Sequence, residues 1–200
     1  MNKHIVLGNF ISDAEVEEII KFSKSYHEQD SKIGYTIQED KKRRKDIFYS
    51  DNDVKGLDNI IFKKSKPIIK SVFDIDIEYR EIYKMGRYYG DDKGFYNPHS
   101  DTQGGMDYRK ISGVVCLTDS TNYEGGIFEF PDIKKGYRFS KGDAIFFDSN
   151  MFHGVNPVTS GLREVVICFF FDDDGYLQRL KKNQFVENMR ATCCEKKEKV

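Results

Sequence analysis

The side chains best suited to chemistry in this chain are two histidines and one aspartate from two separate stretches. His99 and Asp101 stand two positions apart in the segment YNPHSD, and His153 lies further along the chain. On an extended segment, side chains two residues apart leave the same face, so His99 and Asp101 can share one metal ion. Two histidines and one carboxylate form the facial triad of non-haem Fe(II) sites, which leaves coordination positions open. The three residues therefore predict an iron site of the kind that an oxygenase needs.

A fourth residue, Arg163, strengthens this interpretation. On a strand that begins at Arg163, its guanidinium would head a row of apolar side chains on one face, namely Val165, Ile167, Phe169 and Phe171. A charge in such a row is costly unless it is paired, and no carboxylate is predicted on that face. An acidic ligand is therefore the expected partner. The alternative is a rim residue that pairs with Glu164 or Asp143.

Two other classes of protein could use the same three ligands. Zinc held by them would activate water, as in a hydrolase. A closed coordination shell would instead indicate a non-catalytic binding module with a structural or vestigial metal. The hydrolase interpretation leaves Arg163 without a purpose, which favours the oxygenase.

The elements that must position these residues are predicted to be strands. Short alternating or apolar runs, separated by Gly, Asp, Asn and Pro, indicate strands at 76–84, 96–102, 111–118, 126–130, 136–140, 143–148, 152–157 and 163–171. No helix-length crossover separates them, so they favour a double-sheet jelly roll, or double-stranded β-helix, over a parallel sheet. The predicted fold class is α+β, mainly β.

Helices are predicted on both sides of these strands. Ser12 precedes an amphipathic helix over 13–28, and a second apolar periodicity runs over 54–74, where Pro67 should kink or restart it. These N-terminal helices are expected to cover one sheet face. The chain is predicted to be one domain with a flexible tail, divided into a helical part about 1–74, a jelly-roll core about 76–172, a C-terminal helix about 176–189 and a tail at 191–200.

Composition excludes several classes of function. The 32 basic and 33 acidic residues leave a formal net charge of -1, so no global field attracts nucleic acid or a membrane surface. The longest apolar run, 165–171, is far shorter than the roughly 20 residues of a membrane-spanning helix. The start MNKHIVLGNF lacks the pattern of a secretory signal, and four cysteines without framework spacing fit a reducing compartment. We therefore expect a cytoplasmic protein with neither a membrane nor a nucleic-acid partner.

Three further features of the sequence are not expected to take part in the chemistry. The basic run at 41–45 is flanked by acidic residues and is expected to be a solvated loop. Gly125 and Gly126 are typical of a bulge or tight bend. Cys193 and Cys194 lie in the predicted tail, and the sequence assigns them no role.

The order of these motifs resembles the prolyl 4-hydroxylase-like branch of the 2-oxoglutarate- and Fe(II)-dependent dioxygenases. The resemblance covers roughly residues 5–172 and is sharpest in YNPHSD, in RKISGVVCLTD followed by YEGGIFEFP, and in KGDAIFFDSNMFHGVNPVTSGLR. It implies that His99, Asp101 and His153 ligate Fe(II). It also implies that Arg163, at a position where many prolyl hydroxylases carry lysine, pairs with the far carboxylate of 2-oxoglutarate. The implied cosubstrates are 2-oxoglutarate and O2, with ascorbate as a further candidate cofactor.

The resemblance also implies a tyrosine that helps to hold the cosubstrate. Tyr83, in YKMG, resembles the tyrosine that precedes the iron motif in the family. The segment that follows is longer than usual, so Tyr88, Tyr89 and Tyr96 remain alternatives. Cys116 stands where some relatives place another cosubstrate contact, and we expect it to pack in the core.

The reaction implied by the resemblance is hydroxylation of a C–H bond with release of succinate and CO2. Asp101 supplies the carboxylate that halogenating relatives lack, which favours hydroxylation over halogenation. A prolyl residue in a peptide or protein is the first choice of substrate. A free amino acid, a lysyl side chain or another small molecule are the alternatives, and the oligomeric state is left open.

Overall fold

The structure, a computed structural model, describes residues 3–195, with side chains for 3–50 and 53–184. Three α-helices lie among and after the first four strands, and a fourth follows the last strand. The helices are α1 (Asp13–Ser23), α2 (Asp51–Leu57), α3 (Lys63–Phe73) and α4 (Asp173–Glu195), with a π-helical turn at Asp58–Phe62 between α2 and α3. The strands are β1 (His4–Leu7), β2 (Gln29–Asp30), β3 (Lys42–Arg43), β4 (Lys45–Phe48), β5 (Tyr79–Arg80), β6 (Lys84–Tyr89), β7 (Phe95–His99), β8 (Ile111–Cys116), β9 (Tyr123–Gly125), β10 (Phe128–Phe130), β11 (Lys135–Tyr137), β12 (Ala144–Asp148), β13 (His153–Val155) and β14 (Val158–Phe171).

The strands form two antiparallel sheets. The major sheet has the order β1-β12-β8-β14-β6-β4-β2, with β5 and β9 also paired to β14. The minor sheet has the order β11-β10-β13-β7-β3. The long strand β14 is central to the major sheet, where it pairs with β8 on one side and β6 on the other. This double-sheet arrangement confirms the predicted mainly β jelly roll.

Two apolar layers hold the fold together. The first packs the helices against the major sheet, with buried side chains that include Val16, Ile19, Leu57, Ile61, Phe146 and Phe170. The second lies between the two sheets, and its buried side chains include Phe128, Phe130, Phe147, Val165 and Phe169. The prediction that the N-terminal helices cover one sheet face is therefore confirmed.

The N-terminal helices differ in detail from the prediction. Helix α1 begins where predicted, because Ser12 and Glu15 form a capping box, but it ends at Ser23. Residues 51–73 form one continuous helical segment, and Pro67 lies inside α3. The irregular turn precedes Pro67, since the Lys63 N–H donates to the carbonyl of Asp58 five residues back.

The C-terminal helix is longer than predicted. Acidic residues that follow the last strand start the helix, because the Asp172 side chain accepts a hydrogen bond from the Gly175 N–H at 2.8 Å. Helix α4 continues to Glu195, so the predicted tail falls partly on this helix and otherwise outside the described residues. The side chains of Cys193 and Cys194 also lie outside the description. Among the described helices, none combines the length and apolarity needed to cross a lipid bilayer.

The segment before residue 74, predicted to be helical, also supplies four strands. Strand β1 pairs with β12, and β4 pairs with β6, so both extend the major sheet. Strand β3 pairs with β7 in the minor sheet. The basic run therefore passes from one sheet to the other, and the expectation of a solvated loop there is wrong.

A close contact in the first apolar layer gives a test of the fold. A Cβ atom added at Gly113 would lie 2.7 Å from the ring of Phe146. We expect Gly113→Ala to lower the free energy of unfolding by about 1–3 kcal/mol, because an extra methyl group overpacks a filled core. Urea denaturation would measure this loss. The same substitution in a Phe146→Leu background should cost less, because the ring atom that it meets is gone, and equal costs in both backgrounds would contradict the contact.

Candidate active site

A cavity of about 700 Å³ lies between the two sheets. This volume falls within the roughly 300–1,000 Å³ that is usual for small-molecule sites. Alternate residues of β14 point into the cavity, as predicted for a strand with period two, and these are Arg163, Val165, Ile167 and Phe169. The next residue in that row, Phe171, instead packs between Tyr79 and Tyr108 beside the cavity.

Antiparallel pairing brings the two predicted histidine ligands together. His99 ends β7 and His153 begins β13, and the two residues are direct partners across the strand pair. Asp101 follows β7, where its N–H donates to the carbonyl of Ser149 at 3.1 Å. One oxygen of Asp101 lies 3.5 Å from His99 Nε2, and the other lies 3.5 Å from His153 Nε2. The three donor atoms lie within 4.8 Å of one another, so one metal ion can contact all of them.

Backbone carbonyls fix the orientation of both imidazole rings. His99 Nδ1 lies 2.9 Å from the carbonyl oxygen of Asn97, and His153 Nδ1 lies 2.9 Å from that of Met151. A carbonyl can only accept, so each Nδ1 carries the proton that it donates. Each Nε2 then presents a lone pair towards Asp101, as in metal sites where an outer partner holds the ligand ring.

The ionisation states also suit a metal. Burial alone would raise the pKa of Asp101, but His153, His99 and a hydrogen bond from Ser112 hold that pKa well below its usual range. Burial lowers the pKa of His153 in spite of the nearby carboxylate. A neutral imidazole and an ionised carboxylate are the forms that bind metal ions.

Arg163 lies in the same cavity as a buried charge without an acceptor. The residue is 1% exposed, and its Nε, Nη1 and Nη2 atoms have no hydrogen-bond partner among the described residues. Glu164 pairs with Arg87 instead, at 2.8 Å, while Asp143 accepts hydrogen bonds from the backbone N–H groups of Ser140 and Asn9. The interpretation of Arg163 as a paired rim residue is therefore wrong. A buried guanidinium without an acceptor is costly, so the site fits an anionic ligand.

Glycine makes room for this arginine. Gly126 has a φ of +64°, and a Cβ atom there would lie 2.9 Å from Arg163 Cδ. At Gly125, with a φ of +71°, a Cβ would lie 2.1 Å from the carbonyl oxygen of Pro157. Both glycines are opposite a register shift in β14, so the predicted bulge is confirmed.

The structure does not bring Tyr83 into the cavity. Its side chain is fully buried in the first apolar layer, and its hydroxyl donates to Asp58 at 2.9 Å. The neighbouring Lys84 points the other way, into the cavity, because side chains alternate along the segment. The prediction that Tyr83 contacts a cosubstrate is therefore corrected.

Two of the alternative tyrosines do line the cavity. Tyr88 is buried, and its ring lies 5.3 Å from the Cζ atom of Arg163. Tyr96 lies beside the metal ligands, with its ring centroid 3.6 Å from that of His99. Tyr89 faces away and bonds to Glu28 at 2.8 Å. Among Tyr83, Tyr88, Tyr89 and Tyr96, Tyr88 is therefore the one that lies beside Arg163 in the cavity.

A buried ion pair that the sequence analysis missed holds Tyr88. Arg44 donates to both oxygens of Asp46, at 2.6 and 3.1 Å, and its Nη1 atom donates to the Tyr88 hydroxyl at 3.1 Å. Burial alone would raise the pKa of Asp46, but Arg44 and Lys42 lower it to about 2. The available signal was alternation, since Lys42, Arg44, Asp46 and Phe48 all face the cavity.

Cys116 packs between the sheets, as predicted. It is 1% exposed, and its thiol donates to the carbonyl of Thr118 at 3.3 Å. Burial raises the pKa of this thiol, so it stays protonated at neutral pH.

Comparison with known proteins agrees with this geometry. Residues 83–172 match the family model of the 2OG-Fe(II) oxygenase superfamily. A PKHD-type hydroxylase of Azoarcus sp. (strain BH72) is 34% identical over 91 residues, which is 42% of this chain and 39% of that protein. This chain thus spans well under half the length of that curated relative.

Solved structures show the same fold. The viral collagen prolyl hydroxylase of Paramecium Bursaria Chlorella virus-1, solved as a 2OG complex, has a TM-score of 0.65 and 21% identity, covering 84% of this chain and 94% of that one. The prolyl hydroxylase of Trichoplax adhaerens, solved with a hypoxia inducible factor oxygen degradation domain peptide fragment, has a TM-score of 0.71 and 16% identity, covering 88% and 86%. The match at 83–172 includes the metal-ligand triad and Arg163, so this part of the chain is similar to the 2OG-Fe(II) oxygenase superfamily in the residues that form the site.

Proposed function

We propose that this chain is an Fe(II)- and 2-oxoglutarate-dependent dioxygenase that hydroxylates a C–H bond, with a prolyl residue in a peptide or protein as the first-choice substrate. The observation that carries the proposal is Arg163, a buried guanidinium without an acceptor, in the same cavity as three metal-binding side chains. A dicarboxylate whose other end chelates the metal would satisfy that arginine. A zinc hydrolase would leave it unpaired.

The residues of the cavity have separate roles in the proposed reaction. His99, Asp101 and His153 would hold Fe(II), and Arg163 would bind the distal carboxylate of 2-oxoglutarate. Iron and cosubstrate bound there would supply oxidation of the substrate C–H bond by O2, coupled to conversion of 2-oxoglutarate into succinate and CO2. The carbonyls of Asn97 and Met151 keep the ligand nitrogens aimed at the metal. Apolar side chains on the cavity wall, Phe128, Phe147, Val165 and Ile167, exclude water from the reacting centre.

The metal group, which consists of His99, Asp101 and His153, has the number of protein ligands expected of an oxygenase and not of a closed structural site. It contains three protein ligands, and no fourth His, Cys, Asp or Glu joins it within the described residues. A structural zinc site uses four protein ligands. Three ligands leave positions for a chelating cosubstrate and for O2.

The preference for a peptide rests on likeness. The Trichoplax adhaerens neighbour was solved with a peptide fragment, and the viral neighbour is named as a collagen prolyl hydroxylase. The cavity extends from the metal group to surface residues such as Lys32 and Lys41, so an extended chain has a way in. A hydroxylase of a free amino acid or another small molecule is the alternative.

Chelation can be tested by spectroscopy. Adding Fe(II) and 2-oxoglutarate to the full chain without oxygen should produce the visible charge-transfer band of a chelated keto acid, and admitting oxygen should yield succinate. His99→Ala and Asp101→Ala should each abolish the band, because two remaining ligands bind iron weakly. A wild-type protein that gives no band and no succinate would refute the proposed function.

Arg163 should affect the cosubstrate and spare the metal. Losing one partner of a buried charged pair costs about 2–5 kcal/mol, so Arg163→Ala should weaken 2-oxoglutarate binding by roughly 30-fold or more. Calorimetry with Fe(II) alone should show unchanged metal affinity. Arg163→Lys should retain part of the 2-oxoglutarate affinity, because it keeps the charge but not the paired donors. Metal loss in Arg163→Ala equal to that in His99→Ala would contradict the assigned roles.

Product analysis would identify the substrate class. The loaded enzyme should add one oxygen atom to a prolyl residue in a panel of peptides, as detected by mass spectrometry with fragment assignment. A matched panel of free amino acids is the comparison. Hydroxylation of amino acids together with inertness towards every peptide would exclude the first choice and favour the alternative.

A further inference from the structure

The cavity contains more positive charge than its known partners neutralise. Three acidic residues line it, Asp30, Asp46 and Asp101, against seven basic ones, Lys32, Lys41, Lys42, Arg44, Lys84, Arg109 and Arg163. Asp101 belongs to the metal-ligand triad, and Glu81, which does not line the cavity, pairs with Arg109, so a surplus of positive charge remains. A bound anion needs a cation whose donor atoms are not already hydrogen-bonded to the protein.

The two arginines outside the cosubstrate end are fully engaged. Arg109 donates to both oxygens of Glu81, at 2.6 and 2.8 Å, and its Nη1 donates to the backbone carbonyl of Asp101 at 3.0 Å. Arg44 is similarly committed to Asp46 and Tyr88. Neither guanidinium has its paired donors free for a ligand.

Lys84 differs from these arginines. Its side chain is partly buried and lines the cavity, yet its Nζ atom makes no hydrogen bond or ion pair with any residue that the structure describes. The Nζ atom lies 5.2 Å from the ring centroid of Phe169, and Arg109 Cζ lies 3.7 Å from the same centroid. Burial, with Arg44 and Arg109 nearby, lowers the pKa of Lys84 in spite of Asp46 and Glu81, and an incoming anion would favour the charged form of Lys84.

Lys42 is a weaker candidate. Its Nζ atom lies 3.4 Å from the carbonyl oxygen of Lys32, 4.0 Å from Asp46 and 4.5 Å from the ring centroid of Tyr96. It already has three favourable neighbours. Lys32 and Lys41 are exposed to solvent, so Lys84 is the cation inside the cavity with the most unused donor capacity outside the Arg163 end.

Position separates Lys84 from the cosubstrate. Lys84 is the partner of Ile167 across β6 and β14, whereas Tyr88 is the partner of Arg163. Four strand residues separate these levels, which corresponds to roughly 13 Å along the sheet. Two unpaired cations at different levels of one cavity are suited to two different anions.

We propose that Lys84 binds a carboxylate of the substrate, so that substrates of this chain carry a negative charge into the cavity that contains the metal ligands. The inference rests on the proposed function. A single ammonium matches the single charge of a carboxylate, whereas a phosphate of about two negative charges calls for the paired donors that Arg44 and Arg109 no longer offer. The carboxylate is an acidic side chain in a peptide or the α-carboxylate of a free amino acid.

Matched acid and amide probes test this proposal. Capped tetrapeptides with glutamate or glutamine directly before or after a proline form the peptide arm, and L-proline with L-prolinamide forms the amino-acid arm. Binding is measured by calorimetry on the full chain with 2-oxoglutarate and Zn(II), which prevents turnover. Wild type should bind the acid of at least one pair about tenfold or more tightly than the amide. The arm that shows this preference identifies the source of the carboxylate.

Three variants assign the preference to one side chain. Lys84→Met should reduce it to less than about twofold, because the ammonium is gone. Lys84→Arg should retain most of it and covers the case in which the Met variant misfolds. Lys63→Met is the matched control, an exposed lysine on α3 outside the cavity, and should keep the full preference.

The role of Lys84 and the proposed dioxygenase activity can fail separately in these experiments. A charge-transfer band and succinate, together with equal binding of acid and amide or no binding of any acid, would overturn the role of Lys84 and leave the dioxygenase standing. Equal loss of preference in Lys84→Met and Lys63→Met would also overturn it. So would a Lys84→Met variant that loses 2-oxoglutarate affinity as strongly as Arg163→Ala. Absence of the band in wild type would refute the proposed function itself.

Discussion

A guanidinium sealed between two sheets without an acceptor is the constraint on which the site depends. Removing such a charge from water costs several kcal/mol, and the two apolar layers around β14 must offset that cost. The surroundings of Arg163 reduce it where they can, because the Tyr88 ring offers a π face and Gly126 leaves space for the side chain. The remaining penalty is recovered when an anion binds. A ligand of this arginine is therefore also expected to stabilise the fold, since it binds only the folded state.

The metal group depends on strand register in a similar way. His99 and His153 come together because they are direct partners across β7 and β13. A slip of one residue would turn one imidazole to the opposite face of the sheet, because strand side chains alternate. The carbonyls that orient the rings belong to residues two positions before each histidine, so the same backbone path sets both position and orientation. Local backbone geometry thus orients each histidine ring, and the pairing of β7 with β13 brings the two rings together.

Features that depend on the alternation of side chains within one strand were predictable from the sequence. The row from Arg163 to Phe169 and the shared face of His99 and Asp101 follow from alternation within one strand. The role of Tyr83 was not predictable in this way, because the sequence does not show which of the two alternating sets of side chains between Tyr83 and Tyr89 faces the cavity. The prediction of a solvated loop at residues 41–45 is wrong for a different reason. Arg44 and Asp46 are buried as a pair, and composition does not distinguish a buried ion pair from a solvated charge run. Their meeting with Tyr88 requires strands that are far apart in the chain.

The residues that line the cavity come from two parts of the chain. The triad, Arg163, Tyr88 and Lys84 all lie within residues 83–172, where the family match is found. Lys42, Arg44 and Asp46 come from the earlier segment that crosses between the sheets, and they form the remaining wall. Substitutions in that earlier segment can change the shape and charge of the wall without touching a metal ligand. In the proposed function, the metal-binding and cosubstrate-binding residues thus come from one part of the chain, while the earlier segment supplies a charged wall that a substrate would meet.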